Sequence, residues 1–264
     1  MGTRMARYGV LIGLAIVTLT GCGRQVARTL EGTDDLLATG PDQLALAAAR
    51  PDYTLGALEA TGGVSAWMEC RRIDFSGVVS AYRPDGSYYM SEHTFIAHPW
   101  SEALLVSAHE PGSDYLWRLV GGKFEQVEGN ARVDISPLAG AYQDYATALL
   151  EITTAPVRLM EEKTELTRRP LPVQMLGQVY TAIDAEFAGS RSHWTNATYF
   201  ASRFNSRVEL IWLANPARRD FLIVRGHDYI QVANGVFVPS VVEIYHSDGQ
   251  ARLGSRFATI NIAQ

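Results

Sequence analysis

Ile73-Asp74-Phe75-Ser76-Gly77-Val78-Val79-Ser80-Ala81 is the stretch at which this chain changes its period. Ile73, Phe75, Gly77, Val79 and Ala81 fall on one face of an extended strand, and Asp74, Ser76 and Ser80 fall on the other, since successive strand side chains point to opposite sides. Pro84-Asp85-Gly86 then makes a turn: proline presets φ and glycine accepts a positive one. Return strands are expected over 88–98, 103–110, 113–120 and 123–127, with Gly121-Gly122 turning the chain between the last two. This is the pattern of an antiparallel meander.

Downstream, Leu138, Tyr142, Tyr145, Leu149 and Ile152 recur at helical spacing, and Ser136-Pro137 suits a capped start. A helix is therefore expected over 137–152, stopped by Ala155-Pro156, with 157–169 as a connector. A second strand series follows over 173–187, 208–213, 221–225, 229–232, 236–246 and 252–262. Asn234-Gly235 and Asp248-Gly249 mark hairpins within it. Residues 190–207 read as a polar loop or a weakly specified strand. Strands 208–213 and 221–224 are apolar on both faces, so something must cover the second face, and the 137–152 helix is the candidate. Upstream of Ile73, short helices are expected over 42–50, 54–60 and 65–70. Alternating βα units are absent, which argues against a parallel sheet.

The chain has 264 residues, 47% of them hydrophobic, enough for a substantial core. Arg4 and Arg7 are the only charges of residues 1–21, so removing that segment takes the formal net charge from −5 to −7. An acidic body without a basic stripe points to no nucleic-acid partner. Nor does the sequence contain a polybasic cluster that would press it onto anionic lipid. Cys22 and Cys70 are the two cysteines. Cys70 is expected to be a small buried apolar group, and a zinc–cysteine site is excluded.

Residues 10–17 form a short apolar run behind Arg4 and Arg7. That is signal-peptide length, and too short to cross a bilayer. Leu19-Thr20-Gly21-Cys22 resembles a bacterial lipobox, in which the cysteine becomes the acylated first residue of the mature protein. Each buried CH₂ contributes about 0.8 kcal/mol, and two or more chains anchor stably. The expected organisation is a leader over 1–21, a lipid-anchored tether over 22–40 and a single domain over 41–264.

No nucleophile elbow, phosphate loop or His-Glu-x-x-His motif occurs. The six histidines are scattered, and neighbours such as Glu92-His93 point to opposite strand faces. No catalytic residue, metal or cofactor is assigned. What remains is apolar surface: Trp117, Leu138, Tyr142, Tyr145, Leu149 and Trp212 are candidate walls of a ligand cavity, with Trp194 a further aromatic. Tyrosine and tryptophan seek polar partners when buried, so a helix face carrying two tyrosines suits a cavity wall or rim.

The lipobox, the run Leu58-Glu59-Ala60-Thr61-Gly62-Gly63-Val64-Ser65-Ala66-Trp67 before a strand meander, and Thr154-Ala155-Pro156-Val157-Arg158-Leu159 after the middle helix resemble bacterial lipoproteins of the LolA/LolB-like group. Gly235-Val236-Phe237-Val238-Pro239 with the Asp248-Gly249 hairpin is similar too, so the likeness spans most of 54–264. The resemblance implies an incomplete antiparallel β-barrel, a curved sheet with helices covering its open side, around a cavity for acyl chains. LolA carries lipoproteins across the periplasm and LolB receives them while lipid-anchored. Cys22 is the one functional residue the resemblance transfers. It implies a non-enzymatic lipoprotein on the periplasmic face of the outer membrane. Its partners would be the membrane itself, lipid or lipoprotein acyl chains, and an envelope protein. A structural or envelope-assembly lipoprotein with a filled core is the competing reading.

Overall fold

The computed structural model describes residues 52–110, 113–129, 138, 141–161, 164–187 and 193–263. The expected leader, lipobox, tether and 42–50 helix lie outside the described residues. The chain enters through two short helices, α1 (Asp52–Glu59) and α2 (Val64–Glu69), and then runs into strands. β1 (Ile73–Tyr82), β2 (Tyr88–His98), β3 (Ala103–Glu110), β4 (Ser113–Val120) and β5 (Lys123–Glu128) form the first series. Helices α3 (Tyr142–Thr153) and α4 (Ala155–Arg158) follow. The second series comprises β6 (Thr164–Arg168), β7 (Val173–Met175), β8 (Gln178–Phe187), β9 (Asn196–Ser202), β10 (Val208–Asn215), β11 (Asp220–Gln231), β12 (Phe237–Ser247) and β13 (Leu253–Ala263).

All pairings are antiparallel and build one 13-stranded sheet in the order β5-β4-β3-β2-β1-β13-β12-β11-β10-β9-β8-β6, with β7 also on β8. The last strand joins the two series: Val79 of β1 faces Ile260 of β13. β5 and β6 end the sheet without pairing to each other, so the barrel stays open. The expected incomplete barrel with helices against it is thus the architecture found.

The sheet curls around α3, which touches β10, β11 and β12 on one side and β3, β4 and β5 on the other. Every residue from Tyr145 to Thr153 is buried. Close approach depends on Gly226 of β11, where an added Cβ would lie 2.9 Å from Ile152 Cγ1 and from Pro239. The hydroxyls of Thr153 and Thr154 donate back to the carbonyls of Leu149 (2.8 Å) and Leu150 (2.6 Å), so neither is left unpaired at the helix exit.

Several sequence expectations need correction. The helix begins at Tyr142, with Leu138 buried in the turn ahead of it. α3 does stop ahead of Ala155-Pro156, at Thr153, but Pro156 then sits in the first turn of α4, where its missing N–H costs nothing, so the pair also opens a helical turn. Residues 157–169 are more than a connector, since they hold the end of α4 and β6. Residues 221–225 and 229–231 belong to one continuous strand, β11, which ends before Val232. Of the two readings of 190–207, the strand is the one found over Asn196–Ser202, and it is largely buried. Its Thr198 hydroxyl donates to Asp184 (2.7 Å) and its Tyr199 hydroxyl to Glu151 (3.0 Å), so the polar atoms are paired by tertiary contacts. Finally, α3 covers only the concave face. The convex apolar stripe (Tyr180, Phe200, Leu210, Ile223 and Tyr245) is shielded by Val173, Met175 and Trp212.

Leu149 is fully buried at the centre of this packing. Leu149→Ala should cost about 2–5 kcal/mol in chemical denaturation, through lost transfer energy and a residual cavity. A loss well under ~1 kcal/mol would show that the helix only skims the sheet.

Candidate functional site

One side of the concave face is lined by aromatic rings. Tyr115 and Trp117 lie two residues apart on β4, so they share a face and stack at 4.4 Å. Tyr142, at the start of α3, packs over Trp117 at 4.0 Å, and Phe124 of β5 closes the edge at 5.9 Å from Trp117. His93 of β2 stands edge-on to Trp117 (6.1 Å) and Tyr145 (5.7 Å). Such offset and edge-to-face contacts each add about 0.5–1.5 kcal/mol beyond area burial.

Two polar features sit inside this nest. His93 Nε2 lies 2.8 Å from Ser91 Oγ, and His93 Nδ1 lies 3.2 Å from the Tyr145 hydroxyl. Full burial pushes the His93 pKa down to about 3, so the ring stays neutral at physiological pH. The same burial raises that of Tyr145 well above the ordinary phenol range. Trp117 Nε1 is buried and makes no hydrogen bond among the described residues. A donor left unpaired beside half-buried Tyr142 is a polar atom available to something that enters there.

Beyond the other end of α3 lies a charged knot. The guanidinium of Arg158 is buried and pairs with Glu161, with Glu102 Oε1 at 3.6 Å. Its Nε donates to Thr154 Oγ1 at 3.3 Å. Burial opposes the Arg158 charge, but Glu161, Glu151 and Glu102 outweigh it and keep the group protonated. Burial also pushes the Glu161 pKa up to about 7, against the pull of Arg158. This knot ties α4 to the β2–β3 turn that holds Glu102. Among the described residues, no group of His, Cys, Asp and Glu is arranged to hold a metal ion.

The structure brings together five of the sequence-derived candidates: Trp117, Leu138, Tyr142, Tyr145 and Leu149 all belong to the main core. Leu138, Tyr145 and Leu149 are 0% exposed and Trp117 1%, so these rings and chains fill the space they line. Trp212 does not join them. Strand parity turns Ile211 and Leu213 inward and Trp212 outward, where it stacks on Phe221 (5.9 Å) and donates to the Asp248 carbonyl (3.2 Å). Trp194 is buried in the main core. Cys22 lies outside the described residues.

No family model matches the sequence, and no curated protein sequence matches it either. The architecture has solved counterparts. A LolA superfamily protein from Nitrosomonas europaea superimposes with a TM-score of 0.50 at 8% identity, covering 82% of this chain and 93% of that one. The fold is LolA-like. A DUF1329 family protein from Desulfovibrio piger aligns more loosely, with a TM-score of 0.46 at 9% identity over 82% of this chain and 92% of that one. A domain from Vibrio parahaemolyticus described as outer membrane lipoprotein-sorting gives 0.39 at 9% identity, over 73% and 83% of the two chains. The LolA/LolB-like resemblance read from the sequence therefore holds at the level of fold.

The LolA-like frame brings in residues that motif searching passed over: Ser91 and His93, Tyr115, and the Arg158 knot. Ser91, His93 and Phe95 alternate along β2, so strand parity could have placed them together on the inner face. No sequence signal joins Arg158 to Glu102, which meet only through the fold.

Because the folded His93 pKa lies below the ordinary histidine value, the unfolded chain takes up a proton that the folded chain refuses. Its contribution is intact above about pH 6.5 and is lost as pH falls from there toward about 3. His93→Gln should remove that share, so the variant and wild-type stability curves should converge as pH drops through this window. Parallel curves from pH 7 to 4 would contradict the buried, neutral assignment.

Proposed function

We propose that this chain is a lipid-anchored envelope protein that holds an acyl chain or similar apolar ligand against the aromatic nest between α3 and β2–β5. The observation that carries this reading is the nest itself: six rings, among them the unpaired Trp117 indole, at the half-buried Tyr142 end of the helix. Dry aliphatic packing would fill the same volume without stranding a donor. The LolA-like fold supports the reading, and so does the lipobox-like Leu19–Cys22 segment, which would tether residues 22–40 and the 41–264 domain to the periplasmic face of the outer membrane. The chemistry is binding rather than catalysis. The ligand enters by displacing Tyr142, whose ring covers Trp117.

Two observations favour the second reading, a structural or assembly lipoprotein with a filled core. Trp117 and Tyr145 are buried by their own neighbours, and the cleft lined by Ile152, Val208, Tyr229 and Pro239 has a cavity volume of about 0 Å³.

Two experiments separate these readings. The detergent-extracted full chain is titrated with a fluorescent fatty acid, and native mass spectrometry looks for co-purifying lipid. Saturable binding is expected, weakened roughly tenfold by Tyr142→Ala, which is about 1.4 kcal/mol. No saturable binding and no adduct would favour the filled core. Separately, Cys22→Ser should leave the precursor unprocessed and without a lipid-dependent mobility shift, whereas normal processing and labelling would refute the anchor.

A further inference from the structure

β7 and β8 are joined by the two-residue turn Leu176-Gly177, with Met175 facing Gln178. Both turn residues have positive φ, 50° for Leu176 and 78° for Gly177. This is the geometry that asparagine–glycine adopts cheaply and that a branched apolar side chain resists. A leucine is nevertheless held there, 46% exposed. Its surroundings are equally unusual. The backbone N–H of Arg203, in the β9–β10 turn, donates to the Val179 carbonyl (3.4 Å), which places Phe204 beside the hairpin. Phe204 is 98% exposed, Leu171 is 75% exposed and Val179 47%. Isolated exposed hydrophobics need no explanation, but Leu176, Val179 and Phe204 meet where the β7–β8 and β9–β10 turns adjoin, one of them in a strained position, and Leu171 lies in the link just before β7.

The patch is ringed by positive charge in an otherwise acidic chain of net charge −5. Arg168 and Arg203 are exposed, and neither pairs with a carboxylate among the described residues. Arg169 is held by Asp184 at 2.8 Å, and Arg207 lies over the Tyr229 ring at 4.7 Å. The sequence shows no polybasic run, because the fold assembles this ring from two separate turns. The described chain also begins at this end: Arg168 lies over the Tyr53 ring of α1 at 6.0 Å, and a Cβ on Gly56 would lie 3.8 Å from Ser206.

The geometry points to a membrane-contacting tip: Leu171, Leu176, Val179 and Phe204 enter the interfacial layer of an anionic bilayer while Arg168 and Arg203 meet lipid phosphates. Apolar anchors flanked by arginine suit interfacial binding, which combines buried apolar area with attraction to anionic headgroups. The described residues begin at this end, with Asp52 of α1, so a tether from Cys22 would join the body on the side of the tip. The tip itself needs neither the anchor nor the apolar ligand proposed above.

The test uses the full chain in vesicles with an environment-sensitive NBD label on a Phe204→Cys variant, compared with Tyr88→Cys in the β1–β2 hairpin at the opposite end. Cys70 is buried, and burial pushes its thiol pKa up to about 11, so it does not compete for label. On vesicles rich in phosphatidylglycerol the Phe204 label should shift to the blue and be quenched by shallow doxyl lipids, while the Tyr88 label stays in water. Arg168→Gln with Arg203→Gln should abolish the preference for anionic over zwitterionic vesicles. Leu176→Asn should weaken quenching with unchanged or improved thermal stability, because asparagine suits the turn; a purely structural leucine would not separate the two. A Phe204 label that reports water on every vesicle would overturn the proposal, as would one that inserts equally with and without anionic lipid in the wild-type arginine background. Label taken up by the unmutated chain would count against the Cys22 anchor and not the tip, which is then read in the Cys22→Ser background.

Discussion

One helix has to fill the hollow of a sheet that never closes. α3 is 12 residues long, too short to be stable alone in water, and residues Tyr145 to Thr153 are all buried. A helix buried on nearly every side is held by its surroundings rather than by propensity. The sheet needs it equally: β3–β5 and β10–β12 lie far apart in strand order and are bridged across the hollow by this one element. Gly226 is the local concession that lets the backbone of β11 accept Ile152. The aromatic nest, the His93 contacts and the Arg158 knot are all placed by where α3 begins and ends.

Much of the frame was legible from local signals. Alternation from Ile73 marked β1, Pro84-Asp85-Gly86 and Gly121-Gly122 marked two of the turns of the meander, and the steps from Tyr142 to Ile152 marked the helix. The failures have specific physical causes. β9 carries Asn196, Thr198, Tyr199 and Ser202, a composition that leaves polar loop and weak strand undecided; the strand forms because Asp184 and Glu151 pair with Thr198 and Tyr199 from other elements. β11 reads as two strands in the sequence because Gly226, His227 and Asp228 separate its two runs. In the structure Asp228 takes a positive φ of 53°, and the strand continues past it. The stop expected at Ala155-Pro156 is found, since α3 ends at Thr153, but Pro156 also opens α4, because proline suits the first turn of the next helix.

The site was legible in part. Trp117, Tyr142 and Tyr145 could be found because aromatic residues on a strand and on a helical stripe suggest a common interior. Trp212 could not be placed, because β10 is apolar at Leu210, Ile211, Trp212 and Leu213 in succession and composition there carries no parity. The charged knot was invisible for a different reason: Arg158 and Glu102 are distant in sequence and meet only when α4 docks beside the β2–β3 turn. The basic ring around Phe204 is likewise a product of folding.

The central claim is that α3 is the core about which the sheet is wrapped, and not a lid laid over it. Native-state hydrogen exchange tests this most directly, since a core element opens only with the whole fold while a lid opens at lower free energy. The amides of residues 146–153 should exchange as slowly as those of β11 and β12, with the same denaturant dependence. Exchange of the helix through a separate opening, clearly faster than those strands, would contradict the account.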